Sequence, residues 1–162
     1  VLGRQAGRAT RSNMGFDYIH SAVDDHSRLA YSEIHNNEKA ATCAGFLRRA
    51  AAFFADCGID RVERVLTDNA WPYRKSFAWR DALADLGAAG KLTRAYRPQT
   101  NGKVERFNRT LLDEWAYLRP YNTERTDALA DFLHTYNHHR SHTALGGQPP
   151  ITRVNNPAGQ YT

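Results

Sequence analysis

The stretch that most limits what this chain can fold into runs from Arg94 to Leu112, Arg-Ala-Tyr-Arg-Pro-Gln-Thr-Asn-Gly-Lys-Val-Glu-Arg-Phe-Asn-Arg-Thr-Leu-Leu. Its first half reads as an irregular loop. Pro98 lacks an amide proton, Arg97 before it is pushed away from helical angles, and Asn101-Gly102 is a turn dipeptide. Its second half reads as a helix, because Val104, Phe107, Leu111 and Trp115 recur at helical spacing and project as one apolar stripe. Glu105 falls on the border of that stripe, one turn from Arg109. An acid there could simply complement the positive end of the helix.

A second acid shifts that balance. Arg61-Val62-Glu63-Arg64-Val65-Leu66-Thr67-Asp68-Asn69 reads as a short strand, Val62 to Leu66, that delivers Asp68. Between Asp68 and Glu105 lie 36 residues, room for one helix and one strand, so the chain can return Glu105 to the strand end carrying Asp68. Two acids converging at a strand's carboxyl end, beside cationic side chains, suit Mg²⁺-dependent phosphoryl transfer.

Leu66-Thr67-Asp68-Asn69, followed by Tyr96-Arg97-Pro98-Gln99-Thr100-Asn101-Gly102-Lys103-Val104-Glu105-Arg106-Phe107-Asn108, resembles the integrase catalytic core of bacterial insertion-sequence transposases, itself similar to retroviral integrases. Asp25-His26-Ser27-Arg28 and Tyr136-Asn137-His138-His139-Arg140 fit the same pattern, and the resemblance covers roughly residues 14 to 151. Two departures bear on the loop after Asp68. The spacing between the acids is one residue longer than usual, and Ala70 stands where a glycine commonly follows Asp-Asn.

The resemblance implies a ribonuclease H-like mixed α/β sheet flanked by helices, and an Asp-Asp-Glu triad whose remaining members here are Asp68 and Glu105. It implies Mg²⁺ or Mn²⁺ held by these two acids, one ion activating water or a DNA 3′-hydroxyl and the other stabilising the leaving oxygen. Mg²⁺ keeps several waters and uses substrate phosphate oxygens, so the ions are expected only with DNA present. The implied partners are transposon-end and target DNA and further copies of the chain.

The first triad Asp is expected in the middle of an initial strand, and nothing before Phe16 reads as that strand. Val1-Leu2-Gly3-Arg4 looks like the stretch that follows this Asp in related sequences. The sequence, which starts on Val, is therefore expected to begin just past its first catalytic residue and to be inactive or nearly so alone. The sheet is expected to lack its first central strand, leaving unpaired ladder edges and a groove in the core. Either the edges rearrange, residues 1 to 5 partly fill the place, or another chain donates a strand. Asp24 or Asp25 could instead stand in as the missing ligand, although paired Asp in a tight turn usually accepts backbone amides.

Lys103, Arg106 and Arg109 around Glu105 are candidates for phosphate contacts, each with the alternative of an ordinary solvated helix face. Tyr96, Arg97, Gln99 and Asn101 in the preceding loop are candidates for positioning a DNA end, and Asn69 for orienting substrate or a metal-bound water. The 22 basic against 17 acidic residues give +5 with the histidines neutral, an excess that suits a polyanionic partner. Two further readings stay open: a catalytically incompetent DNA-binding or interaction fragment of a mobile element, and a ribonuclease H-type nuclease.

By length the chain is one domain. It divides into a basic flexible segment at 1–13, the integrase-like core at 14–140, incomplete at its start, and a tail at 141–162. Gly146-Gly147, Pro149-Pro150 and Asn155-Asn156-Pro157 mark that tail as largely without regular structure. Within the core, Phe16–Val23 and Leu29–His35 read as a hairpin. A helix capped by Asn36 or Asn37 runs to about Cys57, with Ala40, Cys43, Phe46, Leu47, Ala50, Phe53 and Phe54 inward, and Gly58 stops it. A helix from about Arg74 to Leu86, carrying Phe77, Leu83 and Leu86, ends at Gly87, and Lys91–Ala95 is a short strand. Beyond Pro120 a last helix spans about Glu124 to His138, with Leu129, Phe132, Leu133 and Tyr136 inward.

Cys43 and Cys57 lie too far apart along one helix to bridge and read as packed thiols of a reducing cytosol. His134, His138, His139 and His142 suggest zinc, but no cysteine or metalloprotease Glu accompanies them. No apolar run approaches the roughly 20 residues of a membrane span, and no signal-peptide pattern opens the sequence.

Overall fold

Alternation along one strand sorts the apolar side chains into two layers. In the computed structural model, which describes residues 2–7, 17–94, 101–116 and 125–154, strand β2 (Asp17–Val23) turns Ile19 and Val23 to one side of the sheet and His20 and Ala22 to the other. On the first side they meet the late helices, and on the second the early ones. The result is a mixed α/β fold with helices on both faces.

β2 is the middle of a three-stranded antiparallel sheet. It pairs with β3 (Ala30–His35), Val23 opposite Ala30, and with β1 (Leu2–Gly7), Leu2 opposite Ala22. Leu2–Gly7, expected to lack regular structure, is therefore a strand. The segment has no apolar period to announce it; the free edge of β2 supplies its ladder. A second, two-stranded sheet pairs β4 (Arg64–Thr67) in parallel with β5 (Ala89–Leu92). β1 lies beside β4, yet among the described residues no ladder joins the two sheets.

A strand therefore stands between β2 and β4, where the first central strand was expected to be missing. A cavity of about 470 Å³ opens between the end of β2 and the start of β4, lined by residues that include Val23, Asp24, Ala51, Phe54, Val62 and Val65.

Helix α1 (Ala40–Asp56) buries Cys43, Phe46, Leu47, Ala50 and Phe54 as its period required, with Ala44 and Ala51. Its N-cap is Lys39, whose side chain does not cap. The expected asparagine works from further out: Asn37 Oδ1 accepts the Lys39 amide at 3.0 Å and the Thr42 hydroxyl at 2.6 Å. Gly58, at φ 106°, follows the helix in a conformation that side chains rarely adopt. Cys43 and Cys57 do not form a disulfide.

The expected helix over 74–86 is two helices, α2 (Trp71–Lys75) and α3 (Phe77–Leu86), broken at Ser76. Ser76 is extended, and its Oγ accepts the Trp79 amide at 3.1 Å, restarting the helix with a new cap. The restart sets the buried face. Trp79 and Ala82 point inward, while Phe77 is 78% exposed.

Helix α4 (Gly102–Leu111) continues as one wider π turn over Leu112–Ala116. All four members of the stripe, Val104, Phe107, Leu111 and Trp115, are buried against Leu129, Leu133 and Tyr136 of α5 (Arg125–His138). The segment after α5 is more regular than its Gly and Pro content indicated. It carries a 3₁₀ turn at Thr143–Leu145 and helix α6 (Pro150–Val154), which packs on α5 and sends Ile151 and Val154 to the α1 core. Buried apolar contacts there outweigh weak local propensity. Phe16, Pro120 and Asn155-Asn156-Pro157 lie outside the described residues. Among those described, no helix is long and apolar enough to cross a membrane.

Candidate active site

β4 alternates Val65 and Thr67 inward and is followed by Asp68, which is half-buried. Asp68 Oδ1 accepts the Ala70 amide at 2.9 Å, a turn that fixes the carboxylate beyond the strand. Asn69 ties this end to its neighbour. Its Nδ2 donates to the Thr93 carbonyl at 3.0 Å, while the Thr93 amide donates to Thr67 at 2.8 Å.

Glu105 sits in the first turn of α4, exposed, at the edge of the buried stripe. Among the described residues no hydrogen bond or ion pair engages its carboxylate, although Arg109 is one turn away. Asp68 and Glu105 belong to elements that flank one strand: β1 touches β4 and also α4. Arg106 and Arg109 are exposed beside Glu105. Tyr96, Arg97 and Gln99 lie outside the described residues. Asn101 is the N-cap of α4 without a capping bond, and its Oδ1 is buried with no partner among the described residues.

Lys103 is committed differently from its basic neighbours. Its Nζ donates to the Asp25 carbonyl at 3.0 Å and pairs with the Asp25 carboxylate, tying α4 to the β2–β3 turn. The Lys103 hydrogen bond holds the Asp25 carboxyl below its usual range. Asp24 takes the turn role expected of paired Asp, its Oδ2 accepting the Ser27 amide and hydroxyl, each at 2.7 Å. Asp24 and Asp25 are thus each engaged through one carboxylate oxygen, the first in the turn and the second with Lys103.

Among the described residues, no group of three or more His, Cys, Asp or Glu side chains is placed to hold a metal ion. His134 and His138 stack at 4.6 Å and His134 meets His139 at 5.2 Å, and burial with these neighbours lowers the pKa of His138.

Arg28 and Arg140 lie in motifs more than 100 residues apart, with no local reason to meet. The structure brings their motifs together through Asn137, whose side chain bonds Ala30. The spacing of 107 residues between Asn137 and Ala30 carries no local signal. His142, edge-on to Tyr136 at 4.8 Å, completes this corner.

Two family models, each described as an integrase core domain, match residues 9–98 and 86–150. In sequence the chain is similar to the ORF3 protein of Spiroplasma virus SpV1-C74, named as a candidate integrase: 21% identical over 151 residues, 85% of this chain and 42% of that protein. In structure it is similar to a chain of the simian T-cell lymphotropic virus intasome solved with PP2A regulatory subunit B56 gamma. There the TM-score is 0.78 at 21% identity, covering 97% of this chain and 54% of that one. It is similar also to the catalytic core domain of BIV integrase, with TM-score 0.70 at 22% identity over 99% and 97%. The chain thus spans about half or less of the ORF3 protein and of the intasome chain.

Proposed function

The chain belongs to the integrase core domain family, the catalytic core of DNA integrases and transposases, and on that premise we propose that it acts in divalent-metal-dependent cleavage and strand transfer of DNA. The observation carrying this reading is the pair Asp68 and Glu105, on elements that both touch β1, with Glu105 unengaged. Oxygen donors of this kind fit Mg²⁺ or Mn²⁺, which are bound through one or two carboxylates and completed by water and phosphate oxygens. When bound, such ions supply positive charge to the reacting phosphate and its attacking and leaving oxygens.

The protein's own part is placement. Asp68 is held by the Ala70 amide through one oxygen, which leaves the other for an ion. Glu105 projects from a helix whose stripe is fully buried, so its backbone is rigid while its side chain is accessible. Lys103, Arg106 and Arg109 give the same helix surface a positive potential for the DNA backbone; Asn101 opens that helix, and Asn69 follows Asp68 at the end of β4. The chain works on transposon-end and target DNA as a homo-oligomer.

A second reading, a DNA-binding unit with no chemistry of its own, is favoured by the lack of a three-group acidic cluster among the described residues. Mn²⁺ titration followed by electron paramagnetic resonance, with and without a DNA duplex, separates the two. The catalytic reading expects DNA-dependent Mn²⁺ binding that Asp68→Asn and Glu105→Gln each remove. Mn²⁺ binding indifferent to both substitutions, with DNA affinity intact, would overturn it in favour of the second.

A further inference from the structure

We propose that Arg28, Arg106 and Arg140, with His142 beside them, form a single anion site that grips one DNA backbone phosphate next to Glu105. The inference rests on the DNA-acting reading above and adds three residues to it. The site comes from two sequence motifs that the carboxylates leave unused. Asp25-His26-Ser27-Arg28 makes the β2–β3 turn, where Arg28 takes φ 68° and its Nη1 donates to the Asp25 carbonyl at 2.7 Å. Tyr136-Asn137-His138-His139-Arg140 closes α5.

Asn137, 1% exposed, holds the two motifs together through Ala30. That clamp places the last turn of α5 against the first residues of β3, and so Arg140 near Arg28. The Tyr136 ring meets Phe107 of α4 edge-on at 4.9 Å, so the end of α5 packs on the turn of α4 that carries Arg106. Electrostatics report the same convergence. All three guanidinium charges act on both the Tyr136 hydroxyl and the His142 ring. Burial pushes Tyr136 up to about 12. Burial, and then the arginines, lower His142. Its Nε2 is buried with no partner among the described residues.

Three like charges delivered by three separate elements repel one another unless an anion joins them. Part of that compensation is already visible: Arg140 Nη1 takes the carboxylate of Glu114. Both members of that pair are partly exposed, so an incoming phosphate can displace the carboxylate. Guanidinium is the appropriate group, since it stays charged at all working pH values and matches phosphate oxygens in a two-pronged geometry.

The test is fluorescence anisotropy of a labelled DNA duplex over about 50–200 mM salt, where each phosphate contact contributes close to one unit of log–log slope. Arg28→Gln and Arg140→Gln should each reduce the slope by about one, and the double variant should lose no more than either single one. Glu114→Gln should tighten binding in the wild-type background and have no effect beside Arg140→Gln. That arm remains decisive if an arginine variant folds poorly, because Glu114 is exposed. Wild-type-like slopes in the arginine variants, or equal tightening by Glu114→Gln in both backgrounds, overturn the site and leave the DNA-acting reading standing. A wild-type protein with no salt-dependent affinity for DNA removes both together.

Discussion

Asn137 holds Ala30 by both of its backbone groups: Oδ1 accepts the Ala30 amide at 2.9 Å, and Nδ2 donates to the Ala30 carbonyl at 2.8 Å. A side-chain amide here replaces the next strand of the ladder, satisfying the edge of β3 from a helix. Asn137→Ala removes both bonds inside a buried contact and should cost about 2–4 kcal/mol in urea unfolding. Asn137→Asp should be worse, because its second oxygen faces the Ala30 carbonyl with nothing to donate. A loss under about 0.5 kcal/mol for both would show that the clamp contributes little.

Two phenylalanines separate the buried stripe from mere apolar character. Phe107 is 1% exposed and Phe77 78% exposed. Phe107→Ala should destabilise by about 3–5 kcal/mol, whereas Phe77→Ala should stay within about 0.5 kcal/mol of wild type. Equal losses at the two positions would contradict the phase that Ser76 imposes on α3.

Glu33 gathers four donors: the Tyr31 hydroxyl at 2.5 Å, His35 Nε2 at 2.6 Å, and Arg49 through Nε at 2.7 Å and Nη2 at 2.9 Å. Burial raises its pKa, but the hydrogen bonds from Arg49, Tyr31 and His35 outweigh this and hold it below the ordinary 4.5. A carboxylate with a lowered folded pKa contributes stability above its unfolded pKa and loses it as pH falls through the folded value. The urea midpoint should therefore drop on acidification below about pH 4.5, and Glu33→Gln should flatten that slope. Asp25, lowered by Lys103, leaves a smaller slope of the same sign.

Lys103→Ala and Arg109→Ala test the basic face of α4. The Lys103–Asp25 pair is exposed on its acidic side, so its loss should cost at most about 1 kcal/mol. Each substitution should weaken DNA binding and lower the salt slope by about one. An unchanged slope for both places this face away from the DNA.

Much of the helical structure was legible in the sequence. The α4 stripe, the inward residues of α1 and α5, and the glycine stops at Gly58 and Gly87 all follow from local period and backbone allowance. Ser76 was legible in principle, being a capping residue three positions before Trp79, but the apolar Phe77 and Ala78 around it suggested one unbroken helix. α6 escaped notice because a five-residue helix has no period to read, and packing against α5 makes it worthwhile.

The sequence by itself determined which residues could be buried along each element, and it put an acid at the end of one strand and another at the start of one helix. Those are matters of period and of allowed φ and ψ, settled within a few neighbours. Only the tertiary structure decided that Leu2–Gly7 is a strand, that Lys103 is tied to Asp25, and that Tyr136 of α5 meets Phe107 of α4. Each of these depends on an edge, a charge or a ring brought from far along the chain. The free energy of such contacts belongs to the folded arrangement, and no local stretch of sequence encodes it.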